Sequence, residues 1–504
     1  MIERYSDPEL TEIWSDREKW NRCERVERAV IVARARLGRI PEDIPRRIDE
    51  CWSAQQISLE RIARIESQTH QDLIAFLTER KEALNDERLA RYVHDQEMTS
   101  YDTQEPAFNE ALKLSCILIV RYISGLLGTM EAFIKDHRFV PLLEPSHGQG
   151  AEVQSLSRLC FTWYQDLRGA LASLENAMGV LRYSKLSGMI GSNSGMDPEL
   201  EETALGLLGL KPLYGSTQIV SRVHYTQISD GLANVVSAIE KASYDIWLGA
   251  QSCSRTWREP FGKSQKSSSA NPAKMNPILC EQNKGLGTLV RGNAATLKNL
   301  IVTARARDIS QSSAERVLWP DTFHATARCI GNLRKVIGGL VIFPDNMLTQ
   351  IIQSKGTYAA SRAKTALLTM GETYGFTADD AYNIVQLASA IAFLPDAWAK
   401  NLRSVLPASL DEAETMFELV RGLEARIISV SPSIEDIIAR AMLSRTDMLE
   451  YTAEQVLRWR DILQQIFASE ANRLAWRNVF RLSNIMKNET AQFEAVLGQK
   501  FFGE

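Results

Sequence analysis

The residues with most chemistry in them lie in SQKSSSANPAKMNPILCEQN, positions 264–283. Ser267, Ser268 and Ser269 run in a row ahead of Pro272, Lys274, Asn276 and Pro277, and Glu281 follows closely. Serine hydroxyls donate hydrogen bonds, and once deprotonated they act as nucleophiles or bases. Lys274 supplies a positive charge suited to an alkoxide or a carboxylate. Asn276 is a neutral donor, and the prolines restrict the backbone on either side of it. Composition alone favours an exposed polar linker. A long loop between helical segments, however, is more often functional than accidental.

The elements that must position this loop read as helices. Leu167, Leu171, Leu174, Met178 and Leu181 step by four, three, four and three, and Leu232, Val235, Val236, Ile239 and Ile246 repeat the pattern. Stripes of that spacing bury against each other in a bundle. The pattern predicts an all-α chain with a central helical bundle over 106–355. A shorter helical segment over 1–105 precedes it, punctuated by GRIPEDIP and SYDTQEP. A third segment over 356–504 includes SPSIEDIIARAML, where Ser431 or Ser433 suits a helix start. The apolar run LSCILIVRYISGLLGTM is interrupted by Arg121 and reads as a buried core helix that falls short of a membrane span.

Bulk composition narrows the function. A chain of 504 residues exceeds one ordinary core. Its net charge of −4 gives no general attraction to nucleic acid or to an anionic membrane, so any anion site must be a local group of Arg and Lys. Seven scattered cysteines without Cys/His ligand spacing suit reduced thiols in a cytoplasmic protein and suggest no metal site. The polar start MIERYSDPEL is no secretory signal.

The loop spacing S-S-x-x-P-x-K-x-N-P resembles the mobile loop of the fumarase/aspartase superfamily, usually G-S-S-x-M-P-x-K-x-N-P. Six further stretches, MIERYSDPELTEIWSDREKW, QTHQDLIAFLTE, MTSYDT, SHGQGAE, GSTQIVSR and RARDISQSSAERVLWPD, resemble adenylosuccinate lyases in the same order. The resemblance runs from residue 1 to about 390, and the last hundred or so residues carry none.

The resemblance implies β-elimination across a C–N or C–O bond with release of fumarate and no cofactor. Ser268 matches the base, and His147 matches the acid on the leaving nitrogen, assisted by Glu281. Thr99, Ser100, Gln218, Ser269, Lys274 and Asn276 match positions that hold the succinyl carboxylates. Arg4, Tyr5, Arg307, Ser312 and Arg316 match the grip on a nucleotide phosphate, where converging guanidiniums suit a dianion. Gln71, Asp72 and His94 fall at positions near the substrate. The family fold implies three mostly helical domains, here 1–105, 106–355 and 356–504. Their central helices associate into a homotetramer whose sites draw on three chains.

Several positions depart from the family pattern. The loop glycine is Ser267, its methionine is Asn271, and an H-K-R stretch reads Ala273-Lys274-Met275. The histidine of R-H-D is Gln71, which hydrogen-bonds but cannot carry the proton. His70 is one place off, which on a helix is a turn of about 100°. Glu144, Pro145 and Ser146 replace G-R-T, and Glu97 stands where glycine is usual. Three functions follow: a lyase converting adenylosuccinate to AMP and fumarate, a superfamily lyase or cycloisomerase retuned to another carboxylate, or a non-catalytic oligomeric homologue. His137, His224 and His324 read as surface or satisfied core histidines.

Overall fold

The computed structural model describes residues 1–94, 98–266, 268–392 and 453–498. Glu97, Ser267, Ser431 and Ser433 lie outside the described residues. The chain sorts into two compact units, each assembled from three stretches. The first comprises Met1–Thr129, Trp163–Trp247 and Lys263–Gly338, and the second Met130–Thr162, Leu248–Gly262 and Gly339–Glu504.

In the first unit helix α1, Asp16–Arg36, opens at Ser15, whose hydroxyl accepts the Glu18 N–H. Its buried face holds Trp20, Val26 and Val30, and Trp20 stacks on Phe76 at 4.9 Å. Helices α2, Leu59–Thr69, and α3, Asp72–Leu84, meet at a break between His70 and Gln71. His70 ends α2 in the left-handed region (φ 53°) and Gln71 starts α3 in extended conformation. The helical-wheel offset expected between these two residues therefore does not apply, because no helix runs through them.

Helix α4 spans Ser100–Asp136. SYDTQEP, expected to be a break, forms its first turns and carries Pro106 inside the helix. The firm start has a local cause, one half of a capping box: Asp102 Oδ2 accepts the Thr99 N–H at 2.8 Å. The expectation about its apolar run needs correction. By length and composition alone α4 suffices to cross a membrane, and half of its most apolar window is buried inside the protein. Leu112, Cys116, Ile119, Ile123 and Leu126 have no exposure, as a core helix requires.

The chain passes into the second unit at Met130, within α4, and continues into an antiparallel hairpin, β1 (Pro141–Ser146) with β2 (Gln149–Ser155). Helix α5, Leu156–Ala177, leads back to the first unit, followed by α6, Arg222–Gly249, α7, Ile278–Asn299, and α8, Ser310–Gly338. The two sequence stripes are largely buried: Leu167, Leu174, Leu232, Val235, Val236, Ile239 and Ile246 are each at most 1% exposed. Full burial of such a side chain is worth about 1.5–3 kcal/mol. Arg222, the buried first residue of α6, ties α4 to α8 by reaching Glu105 at 2.9 Å and Glu315 at 2.6 Å.

Within the second unit the described part of the C-terminal stretch is built into the core. Trp459 is 1% exposed, and its indole N–H donates to Asp380 Oδ1 at 2.7 Å. Glu489 accepts the Ser155 N–H, and the Tyr358 hydroxyl donates to the Phe480 carbonyl. The described residues are mostly helical, with three two-stranded sheets, so the all-α expectation holds.

Candidate functional site

The N-terminus of α4 organises the first unit's polar residues. Asp102, which caps Thr99 with one oxygen, accepts from Lys185 Nζ with the other at 2.6 Å, and both residues are fully buried. The same ammonium donates to the Gly188 carbonyl at 3.2 Å and the Gln218 carbonyl at 3.0 Å. All three of its protons are thereby used. Lys185 thus ties the segment carrying Gln218 to the helix end that carries Thr99 and Ser100.

Two side-chain amides meet those two residues. Gln71 caps α3 by accepting the Ile74 N–H, while its Nε2 donates to Ser100 Oγ at 3.1 Å. Gln218 Nε2 donates to Thr99 Oγ1 at 3.2 Å, and its Oε1 accepts from Arg307 at 3.2 Å. The Arg307 guanidinium lies 3.8 Å from the centre of the Tyr101 ring, a cation–π contact. Burial raises the Tyr101 pKa, and its hydroxyl accepts from Gln311, the residue before the buried Ser312.

Asp72 joins a second charged group. It accepts from Lys19 at 2.9 Å and Arg316 at 2.7 Å with one oxygen, and from Gln104 with the other. Burial opposes its ionisation, but Lys19 and then Arg316 outweigh that and hold its pKa at about 2. Arg316 is thus engaged by a carboxylate, whereas Arg4 is exposed beside Tyr5 on a single 3-10 turn.

His94, also left-handed (φ 60°), binds the buried Glu27 carboxylate through Nδ1 at 3.0 Å, and Thr103 donates to that carboxylate at 2.6 Å. Burial works against a charged imidazole here, yet the Glu27 hydrogen bond and charge raise its pKa. His137 donates to the Phe133 carbonyl, and His324 accepts the Asp7 N–H, so both are satisfied side chains.

The serine loop precedes α7. Ser268, half-buried, accepts the Asn271 N–H at 3.2 Å, and Asn271 in turn accepts the Ala273 N–H at 3.0 Å. Ser269 and Lys274 are exposed, and Asn276 is half-buried. Glu281, in the first turn of α7, accepts the Trp247 indole N–H at 3.4 Å. His147 belongs to the second unit. It occupies the exposed tip of the β1–β2 hairpin, where His147 (φ 54°) and Gly148 (φ 75°) make the two-residue turn.

The structure thus forms two hydrogen-bonded groups that meet at adjacent residues of the α4 start, Gln71 with Ser100 and Thr99 with Gln218 and Arg307, and brings Asp72 and Arg316 into a third. The hydrogen bonds of Ser268 stay within its own loop. Sequence reasoning missed Lys185, Asp102, Glu27 and Lys19. Thr-x-x-Asp at 99–102 was a usable signal for the cap, whereas nothing marked Lys185 as buried. Among the described residues no group of three or more His, Cys, Asp or Glu side chains could hold a metal ion.

Known proteins share this architecture. The family model described as "Lyase" matches residues 3–292. The adenylosuccinate lyase of Aquifex aeolicus is 32% identical over 79% of this chain and 89% of its own length. That of Bacillus subtilis is 30% identical over 80% and 90%. Among solved structures, the fumarate lyase from Mesorhizobium sp. BNC1 superposes with a TM-score of 0.69 at 18% identity, covering 92% of this chain and 99% of its own. The 3-carboxy-cis,cis-muconate lactonizing enzyme from Pseudomonas putida gives 0.69 and 18%, covering 92% and 98%. Helical fold and sequence together define a lyase. The chain belongs to this lyase family, as an adenylosuccinate lyase-like enzyme of the fumarase/aspartase superfamily.

Proposed function

We propose that the enzyme cleaves the C–N bond of adenylosuccinate, releasing AMP and fumarate. The observation that carries this reading is Gln218 bonded to both Thr99 and Arg307, next to Ser100, in a protein 32% identical to an adenylosuccinate lyase. It joins hydroxyl and amide groups suited to carboxylates with a guanidinium suited to phosphate.

In this reading Ser268, as alkoxide, takes the proton from the succinyl carbon next to a carboxylate. Negative charge then develops on that carboxylate and is held by Thr99, Ser100, Ser269, Lys274 and Asn276. The C–N bond breaks as His147, supported by Glu281, protonates the departing nitrogen. Arg4, Tyr5, Arg307, Ser312 and Arg316 hold the phosphate, with Gln71, Asp72 and His94 close to the substrate. The reading includes three domains over 1–105, 106–355 and 356–504 and a cytoplasmic homotetramer with composite sites. The exposed hairpin tip bearing His147 suits delivery of that residue to a neighbouring chain.

A second reading, a lyase or cycloisomerase for another carboxylate substrate, is favoured by one observation: Arg316 is engaged by Asp72 rather than free for phosphate. Purified protein with adenylosuccinate, followed by ultraviolet absorbance, tests between them. Turnover that Ser268→Ala lowers by about 10²–10⁴-fold supports the first. Absence of turnover by the parent protein sinks it.

A further inference from the structure

Gln71 and Gln218 each present an amide to a hydroxyl at the start of α4, and in both cases the amide can point only one way. Gln71 must turn its oxygen to the Ile74 N–H that it caps, which leaves its NH₂ for Ser100. Gln218 must turn its oxygen to Arg307, because a guanidinium only donates, which leaves its NH₂ for Thr99. A hydroxyl that accepts from an amide keeps its single proton to give. Among the described residues neither Thr99 nor Ser100 spends that proton on a hydrogen bond.

We propose that Gln71 is a positioning residue that holds the Ser100 hydroxyl as an outward donor, making Ser100 and Thr99 a matched two-donor seat for one substrate carboxylate. The proposal rests on the carboxylate-binding role given to Thr99 and Ser100 above. It gives Gln71 a purpose that needs no proton transfer. A neutral amide donates to Ser100 at every working pH, whereas an acceptor at position 71 would draw the Ser100 proton inward and turn a lone pair toward the substrate. The carboxylate would then meet an oxygen instead of a proton.

The discriminating pair is Gln71→Glu and Gln71→Leu. Glu keeps an acceptor for the Ile74 N–H and so keeps the helix cap, but it can only accept from Ser100. Leu loses the cap and leaves Ser100 free to donate. Positioning therefore predicts opposite orders in two measurements. Thermal stability should fall further in Gln71→Leu, whereas fumarate affinity, by calorimetry at pH 8, should fall further in Gln71→Glu, by about tenfold or more. A purely structural role leaves only the repulsion between the new carboxylate and fumarate, which fades as salt is raised to about 1 M, so a Gln71→Glu affinity loss that disappears at that salt overturns the proposal. Parent-like fumarate binding by Gln71→Glu, or no fumarate binding by the parent protein, overturns the proposal. Turnover of adenylosuccinate, measured in parallel, separates the two ideas. A parent protein that binds fumarate but leaves adenylosuccinate intact refutes the substrate assignment while the calorimetry still decides the role of Gln71.

Discussion

Replacing Lys185 by Met should strand a buried carboxylate beside the site. Lys185 and Asp102 are both fully buried and 2.6 Å apart. Methionine keeps the length of the side chain but removes all three donors. Asp102 is then left as a buried carboxylate whose remaining side-chain partners are the Thr99 and Gly188 N–H groups. Breaking a buried pair from one side costs about 3–5 kcal/mol. The Gly188 and Gln218 carbonyls each lose a hydrogen bond worth about 1 kcal/mol, partly included in that figure. The expected loss is therefore about 3–5 kcal/mol in equilibrium urea unfolding followed by circular dichroism. Adding Asp102→Asn removes the stranded charge and keeps an amide oxygen for the Thr99 N–H. The double variant should regain at least about 2 kcal/mol over Lys185→Met alone. A single variant within 1 kcal/mol of the parent, or a double variant no better than the single, would refute the view that Lys185 holds this corner through charge.

Three further outcomes are expected. The folded-state pKa of Asp72, about 2 against an ordinary 3.8, makes its ionised form stabilising. That contribution, about 2 kcal/mol, is present above pH 4 and lost as pH falls toward 2. Asp72→Asn should remove it at pH 7 and flatten acid unfolding over that range; unchanged acid unfolding counts against the Lys19–Asp72–Arg316 network. Gly191 sits at φ +77°, and an added Cβ would lie 2.2 Å from the Ser216 carbonyl oxygen and 2.5 Å from that of Thr217. Gly191→Ala should lower stability by about 2–3 kcal/mol and weaken fumarate binding through the adjacent Gln218; parent-like melting would contradict the close approach. Burial pushes the Cys23 and Cys329 thiols up to about 12, whereas Cys253 is exposed. An electrophilic thiol reagent at pH 8 should therefore label Cys253 first, and unchanged fast labelling in Cys253→Ser would disprove that order.

What was legible in the sequence follows the reach of each interaction. The stripes through Leu174 and Leu232 were readable because helical burial repeats every three or four residues along one segment. The serine loop was readable because its residue types are rare together. The hairpin at 141–155 went unseen: its strands are six and seven residues long, and the SHGQGAE stretch drew attention as chemistry rather than as a turn. The junction at His70 and Gln71 was misread as continuous helix because neither residue is Gly or Pro. His70 nonetheless adopts the left-handed conformation that ends α2, and Gln71 replaces the usual short N-cap side chain. Lys185 was the hardest case. Its partner carboxylate lies 83 positions away, and no local pattern distinguishes a lysine that will be buried from one that will stay in water.

The alternation of the two units along the chain has a consequence for synthesis. The first unit needs the stretch Lys263–Gly338 before its core is complete, and by then two pieces of the second unit have already left the ribosome. Neither unit can finish as an early, self-sufficient piece, and the contacts that close each one join distant parts of the sequence. Such topology slows folding and keeps apolar helices such as α4 uncovered while the rest is still being made. Nascent chains of this enzyme should therefore engage chaperones from the emergence of α4 onward and be released only after residue 338 has been added.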